Sequence, residues 1–135
     1  MSVNGNAAVQ RVEVTGNGAG VTNQSGTHLL GEIAQRLGVA AGLSQAMAGA
    51  VSRTSGHDRG RVLTQVAMML AGGGRCLADL KTLRHQPGVF GTVASDPTAW
   101  RVLASVDEEV LVSVDAARAA ARATAWPTRG SAWPA

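Results

Sequence analysis

Apolar residues recur along most of this chain with a helical period. Leu29, Leu30, Ile33, Ala34 and Leu37 fall on one face of a helix expected over residues 27–37, closed by Gly38. Leu43 and Met47, with Ala50 or Val51, define a second helix over 41–51. The joint between them, 38–40, is short enough for a helix-turn-helix or a plain helical hairpin. Asp58 stands where an N-cap belongs, before Val62, Leu63, Val66, Ala67, Met69 and Leu70. That helix is apolar over most of its circumference and is expected to be central and buried. Gly72, Gly73 and Gly74 stop it. Leu77, Leu80 and Leu83 then mark a short helix with Asp79, Lys81 and Arg84 outward, ended by Pro87. Asp96-Pro97 reads as an N-cap followed by a first-turn proline, with Trp100, Leu103 and Ala104 as the apolar side. Asp107, Glu108 and Glu109 open a long final helix, acids at the positive end of its dipole and Arg118 and Arg122 towards the other. Val110, Leu111, Val114, Ala117 and Ala121 give it a thin stripe.

The two ends break this pattern. Residues 1–10 are small and polar and are expected to be disordered. Val12 and Val14 alternate with Glu13, and Val21 follows Gly16-Asn17-Gly18, so a hairpin is expected over 11–22. Residues 127–135 contain proline and glycine without periodicity and read as an unstructured tail. The expected fold is mainly α, a compact bundle of about five or six helices with a short N-terminal β-hairpin, occupying 11–126 as one domain.

Composition sharpens this picture in two ways. Hydrophobic residues make up 45% of the 135, enough for a core, but aromatics are only 3% and Gly numbers 17, so the core must be built largely from small side chains. The net charge is +3, with Lys81 the single lysine; the arginines suit phosphate binding and also fit a GC-rich coding bias. They are unevenly placed. Residues 53–101 hold seven basic side chains against three acids, whereas 102–135 hold three against four. A basic middle fits phosphate contact or an ordinary solvated surface. On charge alone the candidate DNA contacts are Arg59, Arg61, Arg75, Lys81, Arg84 and Arg101.

Catalytic chemistry finds little purchase. His28, His57 and His85 are far apart, and no Cys or His lies at ligand spacing, so no metal site is expected. The single Cys76 excludes an internal disulfide, fits a reducing compartment and is expected to be a small buried core residue. Gly16, Gly18 and Gly20 lack the strand and helix that a nucleotide-binding loop requires. The run Gly72–Gly74 before Arg75 could offer backbone N–H groups to a phosphate or serve as a corner for close helix packing. Asp58, Asp96 and Asp107 are explained as helix caps. No secretory leader or membrane-length apolar stretch is visible.

Four segments carry a resemblance: THLLGEIAQRLGV with LSQAM; HDRGRVLTQVAMMLAGGG; CLADLKTLRHQPGVFGTVASDPTAWRVL; and SVDEEVLVSVDAARAAARATAW. In order and spacing they resemble the N-terminal region of DDE transposases of actinobacterial insertion sequences, the thirteen-eighty group. The resemblance implies a helical domain that contacts the element's terminal DNA and helps assembly, ahead of an RNase H-like domain carrying the DDE triad. It places the first catalytic Asp soon after Trp126. On that reading the chain is truncated before its chemistry and holds no catalytic or cofactor-binding residue. A divalent metal such as Mg would belong to the missing catalytic domain. The implied partners are element-end DNA and possibly full-length transposase or a second copy, with no membrane and no small-molecule substrate, in the cytoplasm. A fragment that pairs with and inhibits the intact transposase, and a product with no role, are the alternatives.

Overall fold

The computed structural model describes residues 23–49 and 56–126. The elements are α1 (Ser25–Arg36), α2 (Val39–Ala46), α3 (Arg59–Ala71), a 3₁₀ turn (Leu77–Leu80) running into α4 (Lys81–Arg84), α5 (Pro87–Phe90), α6 (Asp96–Ala104) and α7 (Glu108–Ala125). No strand occurs among the described residues, and the expected hairpin over 11–22 lies outside them, as do both chain ends.

α3 is the hub, packed against α1, α2, α6 and the 3₁₀ turn. Asp58 caps it as the sequence predicts, accepting the Arg61 N–H at 2.7 Å. Val62, Val66 and Met69 are buried, and around them lie Met47, Leu80, Leu83, Val93, Ala94, Ala99, Val102 and Val110. Each large aliphatic side chain among them, moved from water into this core, contributes about 1.5–3 kcal/mol. Leu70 departs from expectation: it is half exposed, because α3 has neighbours on most of its circumference but not on that side.

With few large side chains available, the helices meet backbone to backbone. Gly60, at the start of α3, is buried against α2. A Cβ there would collide with the Ser44 nitrogen and the Leu43 carbonyl carbon. α2 meets α7 in the same manner, with Gly42 beside Ala117. This is how a chain poor in aromatics still closes a core: interhelical distance shrinks until small side chains touch.

Three sequence expectations are corrected. α2 is shorter than predicted, ending at Ala46 with Met47 as its buried C-cap residue. Pro87 does not merely end the preceding helix; it starts α5, where its missing N–H costs nothing. In α1 the packing face is the reverse of the apolar one. Thr27 and His28 are buried and Gly31 abuts Met68, while Leu29, Leu30 and Ile33 are 55%, 46% and 42% exposed. At the contact itself α1 presents Gly31, where a Cβ would lie 2.6 Å from the Met68 methyl, so glycine makes the close approach while the leucines stand to the side.

Candidate nucleic-acid interface

The segment between α5 and α6 has no regular structure, yet it is fixed by side chains on both sides. Gln65, buried on α3, spans it with its amide: Nε2 donates to the Thr92 carbonyl at 2.8 Å and Oε1 accepts the Ala94 N–H at 3.0 Å. Arg84, at the end of α4, donates from Nη1 to the Ala94 carbonyl at 2.9 Å and to Asp96 Oδ1 at 2.8 Å. Ala94 thus has both backbone groups satisfied by side chains, in a stretch where neighbouring Val93 is also buried. This clamp sets where α6 begins and how it points.

The clamp also revises the sequence reading of α6. Ser95, not Asp96, is the N-cap; its hydroxyl lies 3.4 Å from the Thr98 nitrogen and 2.9 Å from the Thr98 hydroxyl. Asp96 is the first helical residue and is paired with Arg84. Ala99 and Val102 face the core, whereas Trp100 is 65% exposed and Leu103 lies at the surface. The outward face of α6 therefore carries Pro97, Trp100, Arg101 and Ala104, spaced at three and four residues. The sequence reading places Trp100 with Leu103 and Ala104 on the apolar side of this helix. The signal that could have corrected this is Ala99 and Val102, which share the opposite face.

The corner after α3 is closed to ligands by its own hydrogen bonds. The N–H groups of Gly72, Gly73 and Gly74 donate to the Met68, Leu70 and Met69 carbonyls. Those of Arg75 and Cys76 donate to Asp79 Oδ2 at 2.7 and 3.1 Å. Of the two readings left open by the sequence, the packing corner is the one formed, with Gly73 at φ 95°. A cleft of about 280 Å³ lies beside it, lined by Thr27, Met69, Gly74, Arg75, Asp79 and others. The hydrogen bonds from Arg75 and Cys76 N–H, with smaller help from the Cys76 thiol and Lys81, hold the Asp79 carboxyl below the usual carboxylate range. Cys76 itself is exposed, contrary to expectation, because it caps the 3₁₀ turn from the solvent side.

The six charge-based candidates accordingly separate. Arg75, Lys81 and Arg101 have exposed side chains. Arg84 is half-buried and bound to the clamp, a structural position that its charge alone did not reveal. Arg59 is the first residue of α3 and half-buried. Arg61 points elsewhere, into a second cleft of about 390 Å³ lined also by His28, Glu32, Asp58, Gln65 and Phe90. There the His28 ring meets the edge of Phe90, and its buried Nε2 sits 3.4 Å from Glu32 Oε1 without a hydrogen-bond partner. Asp58 in this cleft is already occupied by the Ser44 hydroxyl at 2.5 Å and the Arg61 N–H. Among the described residues, no group of three or more His, Cys, Asp or Glu side chains converges as a metal site would require.

The arrangement is a helical body in which the acids of residues 75–101 are tied down internally while several cations project. Its sequence relationship is equally specific. The profile of the family described as Transposase DDE domain group 1 matches residues 5–129, nearly the whole chain. The chain belongs to that transposase family. No curated protein and no solved structure matches it. Among the described residues, no helix is long and apolar enough to cross a membrane.

Proposed function

We propose that this chain is the DNA-binding and assembly region of an insertion-sequence transposase, without strand-cleaving activity of its own. Its working unit is residues 11–126, and it acts in the cytoplasm on element-end DNA. The observation that carries the reading is the transposase family match over 5–129 on a body whose Asp79 and Asp96 are internally engaged while Arg75, Lys81 and Arg101 project. The metal-dependent chemistry of transposition, in which carboxylates hold divalent ions such as Mg²⁺ around the scissile phosphate, belongs in this reading to a separate catalytic domain. The thirteen-eighty resemblance, carried by the stretch through VASDPTAWRVL, supports the narrower group assignment.

The test is the salt dependence of binding to duplexes cut from the DNA on either side of the gene. Removal of one phosphate contact should lower the slope of log K against log salt by about one. Arg75→Ala and Arg101→Ala are expected to do so; slopes unchanged from the parent protein reject the reading. Arg84→Ala is unsuitable here, since it dismantles the clamp.

A second reading, pairing with an intact transposase, draws on the exposed Leu29, Leu30 and Ile33 of α1 and on the outer alanines Ala116 and Ala120 of α7. Co-purification with the intact enzyme, without retention of DNA, favours it over the first.

A further inference from the structure

We infer that α6 is the element that reads duplex DNA, entering the major groove with its outward face of Pro97, Trp100, Arg101 and Ala104. The inference rests on the DNA-binding reading above and assigns the residues that distinguish one sequence from another. Three observations carry it. The first is the mounting. A helix that discriminates bases must be held in one orientation. The segment leading into α6 is pinned by Gln65 from α3 and Arg84 from α4, its first turn is capped by Ser95, and its inner side is locked by buried Ala99 and Val102.

The second observation is the shape and composition of the outward face. Pro97 and Ala104 are small, so the helix backbone can approach a groove floor closely, and Trp100 and Arg101 rise from its middle. The major groove of B-DNA is about 12 Å wide and admits one α-helix. Arg101 can form a bidentate pair with guanine O6 and N7, and the Trp100 indole can cover a thymine methyl or a sugar edge. An indole left 65% exposed beside a lone guanidinium suits a partner that offers both an apolar and an anionic contact.

The third observation is charge. Asp96 is the one acid in α6, and it is neutralised by Arg84 at 2.8 Å. The outward face therefore presents Arg101 as its single charge. The 3₁₀ turn packs against α6, and two exposed cations adjoin that turn in the chain, Arg75 before it and Lys81 after it. Asp107, Glu108 and Glu109, exposed just beyond the far end of α6, would repel phosphates. The helix is thus expected to lie in the groove on its central residues Trp100 and Arg101, with these acids kept beyond its far end. The shared requirement of anion and apolar surface is met by duplex DNA and poorly by an acidic protein surface lacking an apolar patch.

The experiment uses the full chain and a pool of duplexes with a randomised centre, taken through rounds of selection. Affinities are then read by fluorescence anisotropy on the selected duplex and on a scrambled one. The parent protein should enrich a defined sequence. Arg101→Ala and Arg101→Lys should each weaken binding roughly tenfold on the selected duplex, with no remaining preference at a guanine and little change on the scrambled one. Trp100→Ala should relax a neighbouring position. Arg118→Ala, on α7, should behave as the parent. Circular dichroism establishes that the surface variants are folded, and Arg101→Lys keeps the test open should Trp100→Ala disturb the helix. Unchanged affinity and preference in the Arg101 and Trp100 variants overturns the assignment to α6. So does a pool that never enriches although unselected duplex is bound; the DNA-binding reading survives that outcome. Failure of the parent to retain any duplex removes the underlying reading itself. Reduced self-association in Trp100→Ala, at unchanged DNA affinity, assigns the face to protein contact and also overturns the inference.

Discussion

The junction of α3 with α6 and the layer formed by α1, α2 and α7 solve the same packing problem differently. At the α3–α6 junction, directional bonds from Gln65 and Arg84 grip the backbone at Thr92 and Ala94. Position and angle are both specified there. In the α1–α2–α7 layer, α2 approaches α7 through Gly42 and Ala117, and contact is governed by shape alone. The first arrangement fixes α6 in one orientation; the second brings helices close but leaves Leu29, Leu30, Ile33, Leu111 and Val112 at the surface. A core built from small residues has limited capacity to cover large ones.

The most damaging place to intervene is the point where the two regions meet. Gly60 belongs to α3 and touches the backbone of α2, so its replacement strikes both. In Gly60→Ala the new methyl would meet main-chain atoms of Leu43 and Ser44, which cannot rotate aside as a side chain could. The destabilisation should be at or above the top of the usual overpacking range, about 3 kcal/mol, read by urea denaturation. A value under about 1 kcal/mol would mean that α2 can slide on α3, and that shape constrains this layer only weakly.

Next in size is Gln65→Leu. It preserves volume but leaves the Ala94 N–H and the Thr92 carbonyl without their partner. The expected cost is about 2–3 kcal/mol for stranded buried groups. The more telling readout is local: amide exchange at Ala94 and through the first turn of α6 should rise more than exchange within α2 or α7. Uniform acceleration across all helices would show that Gln65 stabilises the domain generally and does not set α6.

Legibility from the sequence follows the same division. The capping carboxylates Asp58 and Asp107 were readable because a cap is a local device; each accepts the N–H three residues on, as expected. The central place of α3, the inward Leu80 and Leu83, and the stop at Gly72–Gly74 were readable from periodicity and from glycine's conformational reach. What failed was long-range. Nothing near Arg84 says that its partners lie at Ala94 and Asp96, and Gln65 gives no local sign that it will bind Thr92 and Ala94. Asp96-Pro97 drew the N-cap one residue too far, since the competing Ser95 is equally suited and Asp96 is wanted by Arg84. The outward faces of α1 and α6 differ from the sequence reading for one reason: apolarity does not imply burial, and these helices turn Thr27, His28 and Gly31, or Ala99 and Val102, towards their neighbours. The DNA-contact candidates could be collected by charge, but only the fold separates projecting Arg101 from structural Arg84.

A smaller effect is expected at the corner after α3. Asp79 holds the Arg75 and Cys76 N–H groups in its ionised form, and its folded pKa is lowered. A depressed carboxylate contributes stability above its unfolded pKa, near 4, and that contribution fades as pH falls through the lower folded value. Asp79→Asn should therefore melt below the parent at neutral pH, and the two melting curves should converge in acid beneath about pH 4. A gap that persists undiminished at the lowest pH would assign the role of Asp79 to its shape and not to its charge.

The least change in stability is expected on the uncovered side of α1. Leu29 and Ile33 project away from α3, so the double change Leu29→Gln, Ile33→Gln removes apolar surface that the described residues do not cover. Exposed helix positions of this kind shift stability by roughly 0.5 kcal/mol or less, and glutamine is an adequate helix former. Thermal melting should be nearly unchanged, while concentration-dependent association, followed by sedimentation, should fall if the face is adhesive. A destabilisation of about 2 kcal/mol would contradict this, because it is the cost of uncovering buried aliphatic groups. It would place another part of the chain on α1 and make α1 resemble α3 after all, packed on two sides by two different means.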